Sequence, residues 1–123
     1  MNKTNALRKI IQSNIDKIVQ SYYRKGDKKI FPRAVYDFEN IDLGDINRDD
    51  LILVVDLWDY GEDTTQIEDL ADAIETIFNA ANMPDEEVLP TFYRISLKPI
   101  DDEDKMIMHR QLKFQVQNYY IGG

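Results

Sequence analysis

The sequence predicts an α+β fold, a four-stranded, mainly antiparallel sheet with two helices packed on one face, in the order α-β-β-α-β-β. Two observations predict this class. Two segments repeat apolar residues at the 3.6-residue spacing of a helix, and four others are apolar-rich or alternate with the two-residue period of a strand. The chain has 123 residues, 43% of them hydrophobic. We therefore expect residues 1–123 to form a single domain.

The first helix is expected over residues 4–24. Its apolar residues follow a helical spacing: Leu7, Ile10, Ile11, Ile15, Ile18, Val19 and Tyr22. Thr4 can cap its start, and Gly26 stands where a helix commonly ends. A strand is then expected over residues 30–39, with Pro32 at its beginning because proline cannot donate to a sheet.

The middle of the chain is expected to contain a loop, a strand and the second helix. Residues 40–50 are polar and predict a loop, whereas residues 51–58 (LILVVDLW) form the most apolar run and predict a strand with both faces partly covered. Thr65 and Glu68 fit a capping box at the start of the second helix, and Asn82 and Pro84 are expected to end it.

The last third is expected to be a hairpin. Residues 91–100 and 105–120 alternate between apolar and polar side chains, and an acidic turn over residues 101–104 joins them. Alternation of this kind is typical of antiparallel strands with one solvated face.

Charge is divided unevenly along the chain, whose formal net charge is −8. Residues 1–33 carry nine basic and two acidic side chains, and residues 34–123 carry six basic and 21 acidic ones. An acidic body repels phosphate, so we expect no nucleic acid partner. The sequence has no signal-peptide pattern and no apolar run long enough for a bilayer, so we expect no membrane partner and an intracellular location.

Few residues are suited to catalysis or metal binding. Cysteine is absent and His109 is the only histidine, which excludes a thiol nucleophile and a multi-histidine zinc site. A catalytic triad would require His109 to meet one of the three serines, which are Ser13, Ser21 and Ser96. We expect His109 to have no titrating partner. The sequence thus predicts no catalytic, cofactor-binding or metal site, and no enzyme.

Two acidic motifs leave alternatives open. The segment Asp45 to Asp50, followed by Asp56, has the oxygen spacing of a calcium-binding loop but carries Asp50 where the turn needs glycine. Whether it binds a cation stays open. Asp56 and Asp59 flank Trp58 and resemble a glycosidase carboxylate pair, so a hydrolase that uses Asp56 is the third hypothesis for function.

The basic cluster at residues 24–29 is the best candidate for a contact surface. Four cations lie within six residues, and the same molecule supplies an acidic surface to which they could dock head to tail, closing a ring. The candidate contact residues on the basic side are Lys25, Lys28, Lys29 and Arg33. Those on the acidic side of a neighbouring copy are Asp49, Asp50, Glu62 and Asp63.

Four segments carry a resemblance to a known family: FPRAVYDFE (31–39), VVDLWDYGED (54–63), IEDLADAIETIF (67–78) and HRQLKFQVQNYY (109–120). The chain resembles the tail-terminator and tail-completion proteins of long-tailed bacteriophages, particularly phages and prophages of Gram-positive bacteria. The resemblance implies a structural protein without catalytic residues or cofactor. It would assemble as a ring, hexameric in this family, on the head-proximal end of the tail tube and meet the head connector.

The resemblance also implies a location in the bacterial host cytoplasm during assembly and then in the tail or neck of the virion. The alternative hypothesis is a small acidic binding or immunity-type protein that blocks a basic protein partner. It predicts a stable monomer that captures a cationic protein.

Overall fold

The computed structural model describes residues 3–45 and 47–120, except for the side chains of residues 3, 4, 40–45 and 120. The described residues form two helices and five strands: α1 (Lys3–Ile15), β1 (Ser21–Tyr23), β2 (Arg33–Asp45), β3 (Arg48–Tyr60), α2 (Thr65–Phe78), β4 (Val88–Ile100) and β5 (Ile107–Tyr120). Neither helix is both long and apolar enough to cross a bilayer, within these ranges.

The strands form one sheet in the order β1-β2-β3-β5-β4. β1 pairs with β2 in parallel, and the other three pairings are antiparallel. The prediction of a four-stranded sheet with the order α-β-β-α-β-β was therefore wrong. The sheet has five strands and is mixed.

The additional strand exists because the first helix ends earlier than its apolar spacing predicts. α1 ends at Ile15, and the backbone N–H and hydroxyl of Ser21 both donate to Oδ1 of Asp16, at 3.0 and 2.5 Å. This turn directs Tyr22 and Tyr23, which favour extended backbone, alongside β2. The predicted helix over residues 4–24 is thus divided between α1, a turn and β1.

The predicted loop at residues 40–50 is also wrong, because β2 and β3 form one long hairpin there. Asp42 pairs with Asp50 and Asp45 with Arg48, with register shifts that indicate bulges. Ile46, within the candidate calcium loop, lies outside the described residues. The hairpin consequently extends the sheet through a segment whose residues are mostly polar.

Both helices pack on one face of the sheet, which we call the helix face. The core between them is apolar, and β3 shows why: alternate residues from Leu51 to Leu57 are buried. Fully buried side chains from the helices complete this core: Leu7, Ile11, Ile15, Ile67, Ile74 and Phe78. The opposite face, which we call the open face, is not covered by any described helix.

The α2 helix begins without the predicted capping box. Thr64 is its N-cap and makes no side-chain capping bond. Instead, Oδ1 of Asp63 accepts hydrogen bonds from the backbone N–H and the hydroxyl of Thr65, at 2.9 and 2.6 Å. Glu68, the expected partner in the box, forms an ion pair with Arg110 at 2.7 Å. α2 ends at Phe78, before the predicted Asn82 and Pro84.

Candidate subunit-contact surfaces

Three of the predicted basic contact residues are exposed in the segment between β1 and β2, which we call the basic loop (residues 24–32). Lys25, Lys28 and Lys29 all face solvent, and none of them has an ion-pair partner within the part of the chain that the structure describes. Gly26 lets this loop approach the open face closely, since a Cβ there would lie 2.8 Å from Cγ2 of Val35. The three lysines are accordingly held on a fixed loop and available for a partner.

Arg33 differs from these lysines because it is only 7% exposed. Its guanidinium lies 4.6 Å from the ring centre of Trp58 and 4.9 Å from that of Phe31. Its Nη1 donates to the carbonyl of Ile30 at 3.2 Å. Burial lowers the pKa of Arg33 from its ordinary value. Arg33 therefore anchors the basic loop to the sheet and does not present its charge at the surface.

The four predicted acidic residues lie at opposite ends of β3. Asp49 is buried on the helix face, and Asp50 forms an ion pair with Arg48 at 3.2 Å. Glu62 and Asp63 are exposed beyond the other end of the strand. Since a strand rises about 3.3 Å per residue, Asp50 lies about 33 Å from the end of β3 at Tyr60, beyond which Glu62 and Asp63 follow.

Glu62 and Asp63 share their end of the sheet with the basic loop. Phe31 of this loop contacts Tyr60, with ring centres 5.7 Å apart. The backbone N–H of Gly61 donates to the carbonyl of Met106 at 2.8 Å, which brings the turn between β4 and β5 to the same end. Asp49 and Asp50, by contrast, are remote from the basic loop of their own chain.

A cluster that sequence reasoning missed crosses the open face. Arg33, Trp58 and His109 are register neighbours on β2, β3 and β5. The Trp58 and His109 rings stack with centres 4.2 Å apart. Nε2 of His109 lies 2.7 Å from Oδ1 of Asp56, which also accepts a hydrogen bond from Nε2 of Gln111 at 3.1 Å. The expectation that His109 has no titrating partner was therefore wrong.

No serine meets His109 among the residues that the structure describes. Ser13 on α1 donates to the carbonyl of Ile10, and Ser21 on β1 donates to Asp16, which directly follows α1. Ser96 pairs with Lys113, four residues from His109 along β5, which is about 13 Å at the rise of a strand. The Asp56–His109 pair thus has no serine hydroxyl beside it within the described part of the chain.

The geometry of β3 also tests the hypotheses of a glycosidase carboxylate pair and of a calcium site. Asp56 lies on the open face and Asp59 is buried on the helix face, so they cannot flank one substrate as a glycosidase pair does. Asp49 and Asp50 likewise point to opposite faces, and the side chain of Asp45 lies outside the described residues. Within residues 3–45 and 47–120, no group of three or more potential ligands is placed to hold a metal ion.

The fold is one that occurs in a virus-like particle. It is similar to a chain in a solved structure described as "Virion of native gene transfer agent (GTA) particle", with a TM-score of 0.59 and 11% sequence identity. The similarity covers 95% of this chain and 91% of that chain. No protein-family model matches the sequence, and no curated protein matches it. The two chains share a fold over nearly their whole compared length.

Proposed function

We propose that this chain is a structural protein of a phage or prophage, which caps the tail tube as a ring and joins it to the head connector by protein–protein contacts. The observation that carries the proposal is the fold shared with a chain of the gene transfer agent virion over 95% of the present chain. The four sequence segments that resemble tail terminators support the more specific role within that class.

The distribution of exposed side chains supports a contact function. Four large apolar residues are between 39% and 53% exposed: Tyr60, Tyr93, Ile95 and Leu97. The basic loop and the acidic turn at residues 101–104 lie at the same end of the sheet as Tyr60. Exposed apolar side chains rimmed by charge are typical of protein interaction sites. The proposed role requires no catalysis, and it uses these surfaces directly.

Two observations on the phage or prophage would test the role. The gene is expected between the genes for the head connector and the tail tube. Tail tubes grown from the tube protein of the same genome should reach unrestricted lengths alone. In the presence of this chain, they should stop growing and carry a ring at one end in negative-stain electron micrographs.

The control is the same tube protein mixed with an unrelated acidic protein of equal size. Unchanged tube lengths and bare tube ends would overturn the proposal. A stable monomer that instead captures a cationic protein and leaves tubes unaffected would favour the immunity-type alternative.

A further inference from the structure

We propose that neighbouring copies join edge to edge, with the outer rim of β4 in one copy receiving the basic loop of the next. We define the β4 rim as Tyr93, Ile95, Leu97 and the acidic turn at residues 101–104. This inference rests on the proposed ring and names the surfaces that would form it. It replaces Asp49, Asp50, Glu62 and Asp63 as the acidic side of the contact.

The edge of the sheet formed by β4 is open beyond its beginning. Its beginning is covered, because the backbone N–H of Phe92 donates to the carbonyl of Ala81 and that of Met83 donates to the carbonyl of Pro90. Residues 93–100 have no such cover from any described segment, since β4 is the last strand of the sheet. An uncovered edge that also carries apolar side chains is a template for association.

A bulge in β4 spreads the apolar residues around this edge. Register shifts between Arg94 and Ser96, leaving Ile95 as the extra residue. Tyr93 consequently shares the open face with Gln115, whereas Leu97 shares the helix face with Leu112. The apolar side chains therefore border the edge from both sides, which suits a partner that wraps around the edge and not one that lies on a single face.

The two edges of the sheet carry complementary charges. The turn at residues 101–104 contains four carboxylates, and none of them forms an ion pair within residues 3–45 and 47–120. Two of them accept backbone hydrogen bonds, from Asp104 N–H to Asp102 and from Met106 N–H to Asp104. The basic loop at the opposite edge offers Lys25, Lys28 and Lys29, also without ion pairs there. Because the complement of the β4 rim is on the same chain, we assign its occupant as a second copy.

The basic loop and the acidic turn lie at the same height, measured along the strands of the sheet. Arg33, Trp58, His109 and Ile100 form one row across β2, β3, β5 and β4. The basic loop immediately precedes the first member of this row, and the acidic turn immediately follows the last. The two surfaces consequently lie at one end of the sheet but on opposite edges, with three strand spacings of about 4.8 Å, or about 14 Å, between Arg33 and Ile100.

Complementary surfaces at equal height on opposite edges form a heterologous contact, which closes into a ring when the rotation permits. Contacts between the basic loop and Asp49 or Asp50 would instead displace each copy along the length of β3. Apolar residues are present on both sides of the proposed contact, since Tyr60 is 53% exposed and packs on Phe31 of the basic loop. The proposed joint is therefore apolar at its centre and charged at its border.

Charge reversal tests this joint, with ring formation on tail tubes measured by electron microscopy and the mass of the free protein measured by mass photometry. The variants are Lys28→Glu with Lys29→Glu, Asp101→Lys with Glu103→Lys, and all four changes together. Each double variant should reduce the ring fraction at least about tenfold, and the fourfold variant should restore it to within about threefold of wild type. A matched control, Asp69→Lys with Asp72→Lys on the exposed side of α2, should leave ring formation unchanged.

A disulfide test gives a second readout, because the natural chain contains no cysteine. Lys28→Cys combined with Ile95→Cys should produce a ladder of linked oligomers under oxidation, whereas Asp69→Cys with Ile95→Cys should remain monomeric. Rings that persist in both double charge variants, together with no ladder, would overturn the joint and leave the capping role intact. Bare tubes with the wild-type chain would overturn both, and binding of a tube or connector protein to the β4 rim would overturn the assignment of a second copy.

Discussion

At the scale of single residues, Arg33 shows how burial changes the role of a charge. In sequence it continues the basic run of Lys28 and Lys29. In the structure its guanidinium lies over two aromatic rings at 4.6 and 4.9 Å, and its charge is largely removed from water. A cation over an aromatic ring contributes about 0.5 to 2 kcal/mol, the larger value applying when the cation is desolvated. Arg33 thus acts by fixing the basic loop in place.

We expect Arg33→Ala to lower the free energy of unfolding by about 1 to 2 kcal/mol, because it removes these stacking contacts and a hydrogen bond to the Ile30 carbonyl. Arg33→Lys should recover only part of this loss, since an ammonium lacks the planar face of guanidinium. Urea denaturation followed by fluorescence of Trp58, the single tryptophan, would measure both. Lys28→Ala serves as the control and should change stability by less than about 0.5 kcal/mol.

If Arg33→Ala left stability unchanged, the stacking of Arg33 on the open face would contribute nothing measurable.

The Asp56–His109 pair could not be predicted from the sequence. These residues are 53 positions apart, and they meet only because β5 inserts between β3 and β4. Alternation alone places Asp56 and Trp58 on one face but does not say which strand lies beside them.

At the scale of secondary-structure elements, the start of α2 depends on Asp63, a residue predicted as a subunit contact. The hydroxyl and the backbone N–H of Thr65 both donate to its carboxylate. These hydrogen bonds lower the pKa of Asp63 below its ordinary value of 3.8, the hydroxyl bond contributing most. Because the folded-state pKa is the lower one, the bonds stabilise the protein above pH 3.8, and this contribution is lost as the pH falls through the folded-state pKa.

We therefore expect Asp63→Ala to lower the urea midpoint at pH 7 and to have a smaller effect at pH 3 and below. Glu62→Ala is the matched control, since the adjacent Glu62 is also exposed and makes no such bond to Thr65 within the described structure. An equal loss of stability at pH 7 and at pH 3 would show that the charge of the Asp63 carboxylate does not contribute to stability.

The elements that the sequence predicts well are those with a strong apolar pattern of their own. The apolar run of β3, the alternation of β4 and β5 and the helical spacing of α2 identified all four, with boundaries within a few residues. β1 could not be found in this way, because its three residues continue the helical spacing of α1 and become a strand only through the Asp16–Ser21 turn and pairing with β2. The hairpin at residues 40–50 was missed because its residues are predominantly polar and show no apolar stripe.

At the scale of the whole molecule, the uneven charge of the sequence becomes a spatial arrangement. The basic loop and the β4 rim lie on opposite edges of one sheet. Lys25, Lys28 and Lys29 on one edge and the four carboxylates of residues 101–104 on the other form no ion pair within residues 3–45 and 47–120, and exposed apolar side chains adjoin both. Exposed apolar edges usually carry protective charges or prolines, and Lys98 and Pro99 on β4 are of these two kinds. Tyr93 and Ile95 are nevertheless exposed, and Arg94 between them forms an ion pair with Glu75 of α2. The exposure of these two apolar side chains is expected if a neighbouring copy covers them.

The association of copies should accordingly depend on salt. Charges that face each other across a partly exposed joint are screened as the Debye length falls from about 10 Å at 0.1 M to about 3 Å at 1 M. We expect self-association or ring formation of the wild-type chain to weaken by about tenfold between about 0.05 and 0.5 M sodium chloride. Sedimentation equilibrium over this range would measure it.

A neutralised variant separates the electrostatic from the apolar part of the joint. With Lys25, Lys28 and Lys29 all changed to Gln, association should be weaker at low salt and nearly independent of salt, because only Tyr60, Phe31 and the apolar residues of the β4 rim would remain to drive it. Wild-type association that strengthens with sodium chloride would mean that apolar burial dominates, since salts that are excluded from protein surfaces favour burial. The basic loop would then guide orientation without contributing to affinity.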